Sequence, residues 1–161
     1  MMVNLKIESL KRQEMPEFWS LFGKILEEDF ANYPPLVLKK FLTNSKFKNR
    51  LLKRKIWLGK NKKEIVGFLV AMRARGGVGY INWLGVEKKF RRQGVGKALV
   101  DHWEKWAKNH GFHKLRVQTS NFANRPFYEK LGFKLEGIKK NDAYGLDYLV
   151  FGKIIGNYQN E

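Results

Sequence analysis

The stretch Arg91-Arg92-Gln93-Gly94-Val95-Gly96-Lys97-Ala98-Leu99 decides the reading of this chain. It follows the strand-like run Gly79-Tyr80-Ile81-Asn82-Trp83-Leu84-Gly85-Val86 and opens a helical run from Val95 to His110. A basic, glycine-containing turn between a strand and a helix N-terminus suits a diphosphate. Glycines let the backbone approach the anion, the free amides of the first helical turn donate to it, and the helix dipole adds favourable potential. Arg91, Arg92 and Lys97 bring formal charge to the same place. The spacing is neither Gly-x-x-x-x-Gly-Lys-Ser/Thr nor Gly-x-Gly-x-x-Gly, so the nucleotide-hydrolase and dinucleotide readings lack their motifs.

Further along, Leu115-Arg116-Val117-Gln118-Thr119-Ser120 alternates as a strand. It leads to Asn121, a short helical stretch with Phe127 and Tyr128, and then Leu131-Gly132-Phe133. Arg91-x-x-Gly94-x-Gly96 resembles the acetyl-CoA pyrophosphate loop of the GNAT superfamily of N-acetyltransferases. Asn121, followed seven residues later by Tyr128, resembles that family's second signature. The likeness runs from about Glu64 to Lys153, where Asp147 to Lys153 resembles the family's last strand, and the first sixty residues match in layout. One departure is Asn124, which stands where the family often has alanine.

The resemblance implies an α/β fold, a central twisted mixed sheet with helices on both faces, as one domain over residues 1–161. It implies acetyl-CoA as cofactor, with its pyrophosphate held by Arg91, Arg92, Gln93, Gly94, Val95, Gly96 and Lys97. The amides of the pantetheine arm would pair with the backbone of Leu84 and Val86, where they regain partners lost with water. A bulge or splay near Gly85 is expected to open the sheet, and Asn121 to hydrogen-bond the arm. The reaction implied is acetyl transfer to a primary amine, on a small molecule or a protein, by direct attack in a ternary complex. Tyr128 is the expected catalytic residue, a phenol placed to protonate the departing thiolate as general acid. The competing reading is a non-catalytic basic module that binds acyl-CoA or nucleic acid.

The general base is not legible. Some family members carry a glutamate on the strand before the loop, where this chain has Tyr80 and Asn82. Others carry one five residues before the asparagine, where this chain has Arg116. Glu27, Glu28 and Asp29, at the end of the first helical run, are the remaining candidates for the acceptor side. An acid at a helix C-terminus is electrostatically disfavoured. A solvated helix end and deprotonation through water both remain open.

Composition sets the outer bounds. The chain has 161 residues, 43% apolar and 14% aromatic, which fits a folded globule. It has no cysteine, which excludes disulfides, a thiolate nucleophile and cysteine-ligated zinc. No metal site is expected from His102, His110 and His113. No apolar run is long enough to cross a bilayer and no signal-like core opens the chain, so a cytoplasmic setting without membrane contact is expected. The formal charge is +17, and Lys39 to Lys63 holds eleven Lys or Arg and no acid. Such a run attracts polyanions. The preferred reading is a solvated lysine-rich surface, with nucleic-acid binding second. The field disfavours free polyamines as acceptors and favours an amine on an acidic or polyanion-associated partner. Monomer and homodimer stay equally open.

Leu5 and Ile7 mark a first strand. Phe18, Leu21, Phe22, Ile25 and Leu26 recur at helical spacing behind Pro16, and a second helix is expected from Leu36 to about Asn44. Lys55 to Gly59 and Glu64 to Arg73 read as a hairpin. Val95, Leu99, Trp103 and Trp106 make the apolar stripe of the central helix.

Overall fold

The computed structural model describes residues 3–159. In chain order it forms β1 (Leu5–Ser9), α1 (Met15–Asp29), α2 (Pro35–Thr43), α3 (Ser45–Leu52), β2 (Lys55–Asn61), β3 (Glu64–Arg73) and β4 (Val78–Val86). Then follow α4 (Val95–Asn109), β5 (Lys114–Thr119), α5 (Arg125–Lys130), β6 (Lys134–Lys139) and β7 (Tyr148–Ile154). The strands make one seven-stranded sheet in the order β1-β2-β3-β4-β5-β7-β6. Every pairing is antiparallel except that of β4 with β5.

Local chemistry explains the helices. Pro16 sits in the first turn of α1, where a missing amide costs nothing, and the five apolar residues of its periodic face are all buried. Pro35 starts α2 in the same way, and the Asn44 side chain caps α3 by accepting from the Phe47 amide at 2.9 Å. Two cores result, one on each sheet face. Leu99 and Trp103 of α4 pack with Trp57, Leu69, Leu115 and Phe151 of the sheet. Against α1 to α3 lie Phe18, Phe22, Ile25, Phe41, Leu58 and Phe68. Gly67 lets α4 cross close to the sheet: a Cβ there would lie 2.9 Å from Val95 Cγ1 and 3.0 Å from the Gly85 carbonyl.

The mixed sheet with helices on both faces is as the sequence implied. Four details differ. The basic run continues past α2 into a third helix, α3, and β6 forms an edge strand where none was expected. Lys60, counted in the basic run, is buried between Glu8, at 2.8 Å, and Glu14. The bulge falls at Asn82, where Val70 pairs Trp83 while Ala71 pairs Ile81, three residues before Gly85, and the splay from β5 that follows runs through Gly85. His102 rests edge-on to Trp57 and His110 stacks on Trp106 at 3.7 Å. Among the described residues no group of three His, Asp or Glu side chains is placed to hold a metal ion.

Candidate active site

β4 and β5 run parallel for four paired positions, from Val78 with Lys114 to Ile81 with Val117, and then part. The extra residue at Asn82 swings the rest of β4 away from its neighbour, as a bulge does. A cleft of about 580 Å³ fills the opening. Its walls include Leu84 and Val86 of β4, Arg91 to Lys97 around the α4 N-terminus (without Gln93), Thr119 at the end of β5, and Asn121 and Tyr128 beyond it.

The register decides which backbone groups face the cleft. Glu87 donates to the Val66 carbonyl at 2.9 Å, so in the antiparallel ladder Val86 and Leu84 are non-hydrogen-bonded partners of Gly67 and Leu69. Their amides and carbonyls therefore point away from β3, toward the gap. Val86 O already accepts from Arg91 Nε at 2.9 Å.

The loop itself is shaped by two left-handed residues, Arg92 at φ 59° and Gly94 at φ 81°. Gly94 O accepts from the Ala98 amide at 2.9 Å as the first helical bond of α4. The amides of Val95, Gly96 and Lys97 are thus left without a helical partner, aimed along the axis toward the cleft mouth. Gly96 serves a second purpose. A Cβ there would come within 3.2 Å of the Phe127 ring, so the glycine brings α5, with Tyr128, up against the loop.

Tyr128 is 5% exposed, with its ring against Phe127, Phe133 and Phe151. Burial pushes its phenol well above the ordinary value of 10.0, and the hydroxyl makes no hydrogen bond among the described residues. Asn121 Oδ1 accepts from the Ala123 amide at 3.1 Å and caps the turn into α5. Thr119 Oγ1 braces the same turn, accepting from the Asn121 amide and Asn124 Nδ2, both at 3.1 Å.

The acids at the end of α1 fall apart in role. Glu27 is exposed and outside the cleft. Glu28 and Asp29 both pair with Arg91, at 3.3 and 2.9 Å. Asp29 is the one carboxylate among the described residues lining the cleft. Burial raises it above the ordinary carboxylate range despite the opposing pull of Arg91. Arg91 thereby ties α1 to the end of β4 at the wall of the cleft. Gln93 turns its side chain to the Lys89 carbonyl at 3.0 Å, and Lys97 pairs with Asp101 along α4. On the opposite face of the sheet, Arg116 Nη1 donates to the Tyr80 hydroxyl at 2.6 Å and its guanidinium lies over the Tyr80 ring. Asn82 Oδ1 and Arg116 Nε are buried there without partners among the described residues.

Sequence reasoning did not single out Phe90, Thr119, Ser120 or Leu131 as cleft walls. Thr119 carried a signal, since it ends the β5 alternation two residues before Asn121.

A sequence model of the acetyltransferase (GNAT) family matches residues 15–133. A search of curated proteins gives no match. Among solved structures, a PaiA N-acetyltransferase from Thermoplasma acidophilum in complex with coenzyme A aligns at TM-score 0.79 and 16% identity, over 94% of this chain and 99% of that one. A GNAT family acetyltransferase from Elizabethkingia anophelis with acetyl-CoA bound aligns at 0.72 and 23% identity, over 94% and 98%. The ribosomal-protein-S18-alanine N-acetyltransferase from Escherichia coli aligns at 0.72 and 20% identity, over 98% and 97%. These likenesses give the fold. The family match runs from α1 through the loop before α4 to Phe133, and on it the chain belongs to the GNAT family of acetyltransferases.

Proposed function

We propose that this protein transfers an acetyl group from acetyl-CoA to a primary amine by direct attack in a ternary complex. The cleft between β4 and β5 carries the reading, because one continuous opening joins three open helix amides to a buried phenol. The fit to the cofactor rests on these donors. The amides of Val95, Gly96 and Lys97 and the charge of Arg92 suit a diphosphate, and the inward backbone of Leu84 and Val86 suits an extended diamide arm. Bound acetyl-CoA would supply the thioester carbon that the amine attacks, with release of a thiol.

The chain's own residues then position and move protons. Tyr128 keeps its proton at neutral pH, since burial raises its phenol, and can donate it as general acid. Asn121 keeps Nδ2 for the arm, with Oδ1 committed to the cap. Asp29, raised by burial, is the carboxylate best placed to take a proton from an incoming ammonium. Much of the acceleration comes from holding the two reactants together. The positive field favours an amine borne by an acidic or polyanion-associated partner, a peptide N-terminus or lysine, over a free polyamine.

The test is thiol release from acetyl-CoA across pooled amines. Release that requires an amine supports the reading, and the productive pool names the acceptor class. Acetyl-CoA binding without release from any pool defeats transfer to the amines sampled, and absence of binding defeats the assignment of the loop.

A further inference from the structure

The Lys39 to Lys63 run does not spread evenly over the fold. Lys60 is buried between two glutamates, and Lys55 turns to the other sheet face, over Trp106. Lys62 and Lys63 lie in the β2–β3 turn, and the rest gathers on and just after α2 and α3, which pack against each other. Lys39, Lys40, Lys46, Arg50 and Lys53 are exposed, and Arg54 is half-buried beside them. None of these six forms a salt bridge among the described residues. Elsewhere many cations, among them Lys24, Lys89, Lys97, Lys108, Arg125 and Lys153, are paired with acids, and cations without a salt bridge among the described residues, such as Lys6, Arg12, Lys105 and Lys134, stand on separate elements. Burial first, and then the neighbouring Arg50 charge, hold Arg54 below its ordinary range.

This face also adjoins the site. Phe41 of α2 packs on Trp83 of β4 at 5.4 Å and Phe47 of α3 packs on it at 6.3 Å. Trp83 immediately precedes Leu84, whose backbone lines the cleft. The inner faces of α2 and α3 thus pack on the strand that lines the reaction cleft.

From this we infer that the α2–α3 face binds the phosphate backbone of a nucleic acid. Phosphodiesters suit it better than an acidic protein. Protein interfaces draw most of their affinity from buried aromatic and apolar anchors, and the large apolar side chain exposed on these two helices is Leu36 alone. Ammonium groups on flexible stems, without such an anchor, suit a dense row of phosphates bound through counterion release. The inference does not depend on acetyl transfer, and its readout is binding.

The test is fluorescence anisotropy of the full chain with labelled duplex RNA and duplex DNA of about 20 base pairs, over a salt series. A poly-glutamate peptide of equal charge serves as the competitor. One variant carries Lys39→Gln, Lys46→Gln, Arg50→Gln and Lys53→Gln together. A control of equal charge carries Lys6→Gln, Arg12→Gln, Lys105→Gln and Lys134→Gln. Circular dichroism and acetyl-CoA binding check that both remain folded. The expected result is a loss of about tenfold or more for the α2–α3 variant, with its salt slope shallower by about 3, and a loss under about twofold for the control. A preference between the RNA and DNA arms then names the source of the backbone. Equal losses in the two variants would overturn the inference, since charge alone would then matter and not this face. So would tighter binding of poly-glutamate than of either duplex.

Discussion

Replacing Tyr128 with phenylalanine removes one hydroxyl and leaves the ring in place. The ring packs on Phe127, Phe133 and Phe151 at centroid distances of 5.1, 5.7 and 5.6 Å, and phenylalanine keeps all three contacts. The hydroxyl has no hydrogen bond among the described residues, so its loss strands no protein partner. Stability should change by no more than about 1 kcal/mol in either direction, which for a chain of this size moves Tm by no more than about 4 °C. Activity should respond quite differently. A positioned general acid contributes roughly a hundredfold or more in rate, and a thiolate leaves more readily than an alkoxide, so a loss of at least about tenfold in kcat is expected. The KM for acetyl-CoA should stay within about twofold, because the cofactor is bound by other groups. Steady-state thiol release beside a thermal melt separates the two effects. A variant that melts like the wild type and turns over at an undiminished rate would refute the role of Tyr128. The pH dependence offers a second check. The phenol is raised in the folded state, so its contribution to stability is complete below the unfolded value of 10.0 and is lost as pH rises toward the folded value. The wild type should therefore lose more stability than the variant in alkali above that value.

Gly67→Ala would push a methyl group against Val95 and the Gly85 carbonyl; a destabilisation of about 1–3 kcal/mol, seen as a lower Tm, should accompany weaker acetyl-CoA binding as α4 shifts, and an unchanged Tm would show the crossing is looser than described. Asp29→Asn should hold or raise Tm at neutral pH, because burial outweighs Arg91 in setting this carboxyl, while slowing amine transfer; a fall in Tm would mean that the Arg91 pair dominates. Lys60→Met should flatten the acid limb of the stability curve. Burial works to raise the Glu14 carboxyl, but Lys60 and the Lys11 amide outweigh it and hold it low, so its stabilisation is present above 4.5 and lost as pH falls through the lowered folded value. Denaturant midpoints across acidic pH would show it, and parallel curves for the two proteins would count against the triad.

The loop before α4 and the turn into α5 were readable because their signals are local. Gly94, Gly96, Asn121 and Tyr128 each act within a few residues of their own turn or helix, and the apolar periodicity of α1 and α4 matches their buried faces. The α3 helix escaped notice because its lysines mask a short apolar set, Phe47, Leu51 and Leu52. The β6 strand escaped because an edge strand with a bulge buries too little to impose alternation. The Asp29–Arg91 pair could not be read at all. Its partners lie 62 positions apart, and hydrophobic pattern reports which face is buried but not which charges meet across a gap.

The parting of β4 from β5 also bears on how the protein behaves in solution before any ligand arrives. From Asn82 to Val86 the sheet holds an edge without a strand partner at its middle, not its rim, with the Val86 carbonyl alone taken by Arg91 among the described residues. Open edges invite pairing with other chains and so aggregation. Here the edge is recessed between the α4 loop on one side and Asn121 to Tyr128 on the other, which works against pairing with a strand of a second folded molecule. A thin, flexible ligand can. The fold thus keeps a reactive edge available to one shape of visitor, and filling it should raise thermal stability by about 2.7 kcal/mol at a hundred times the dissociation constant.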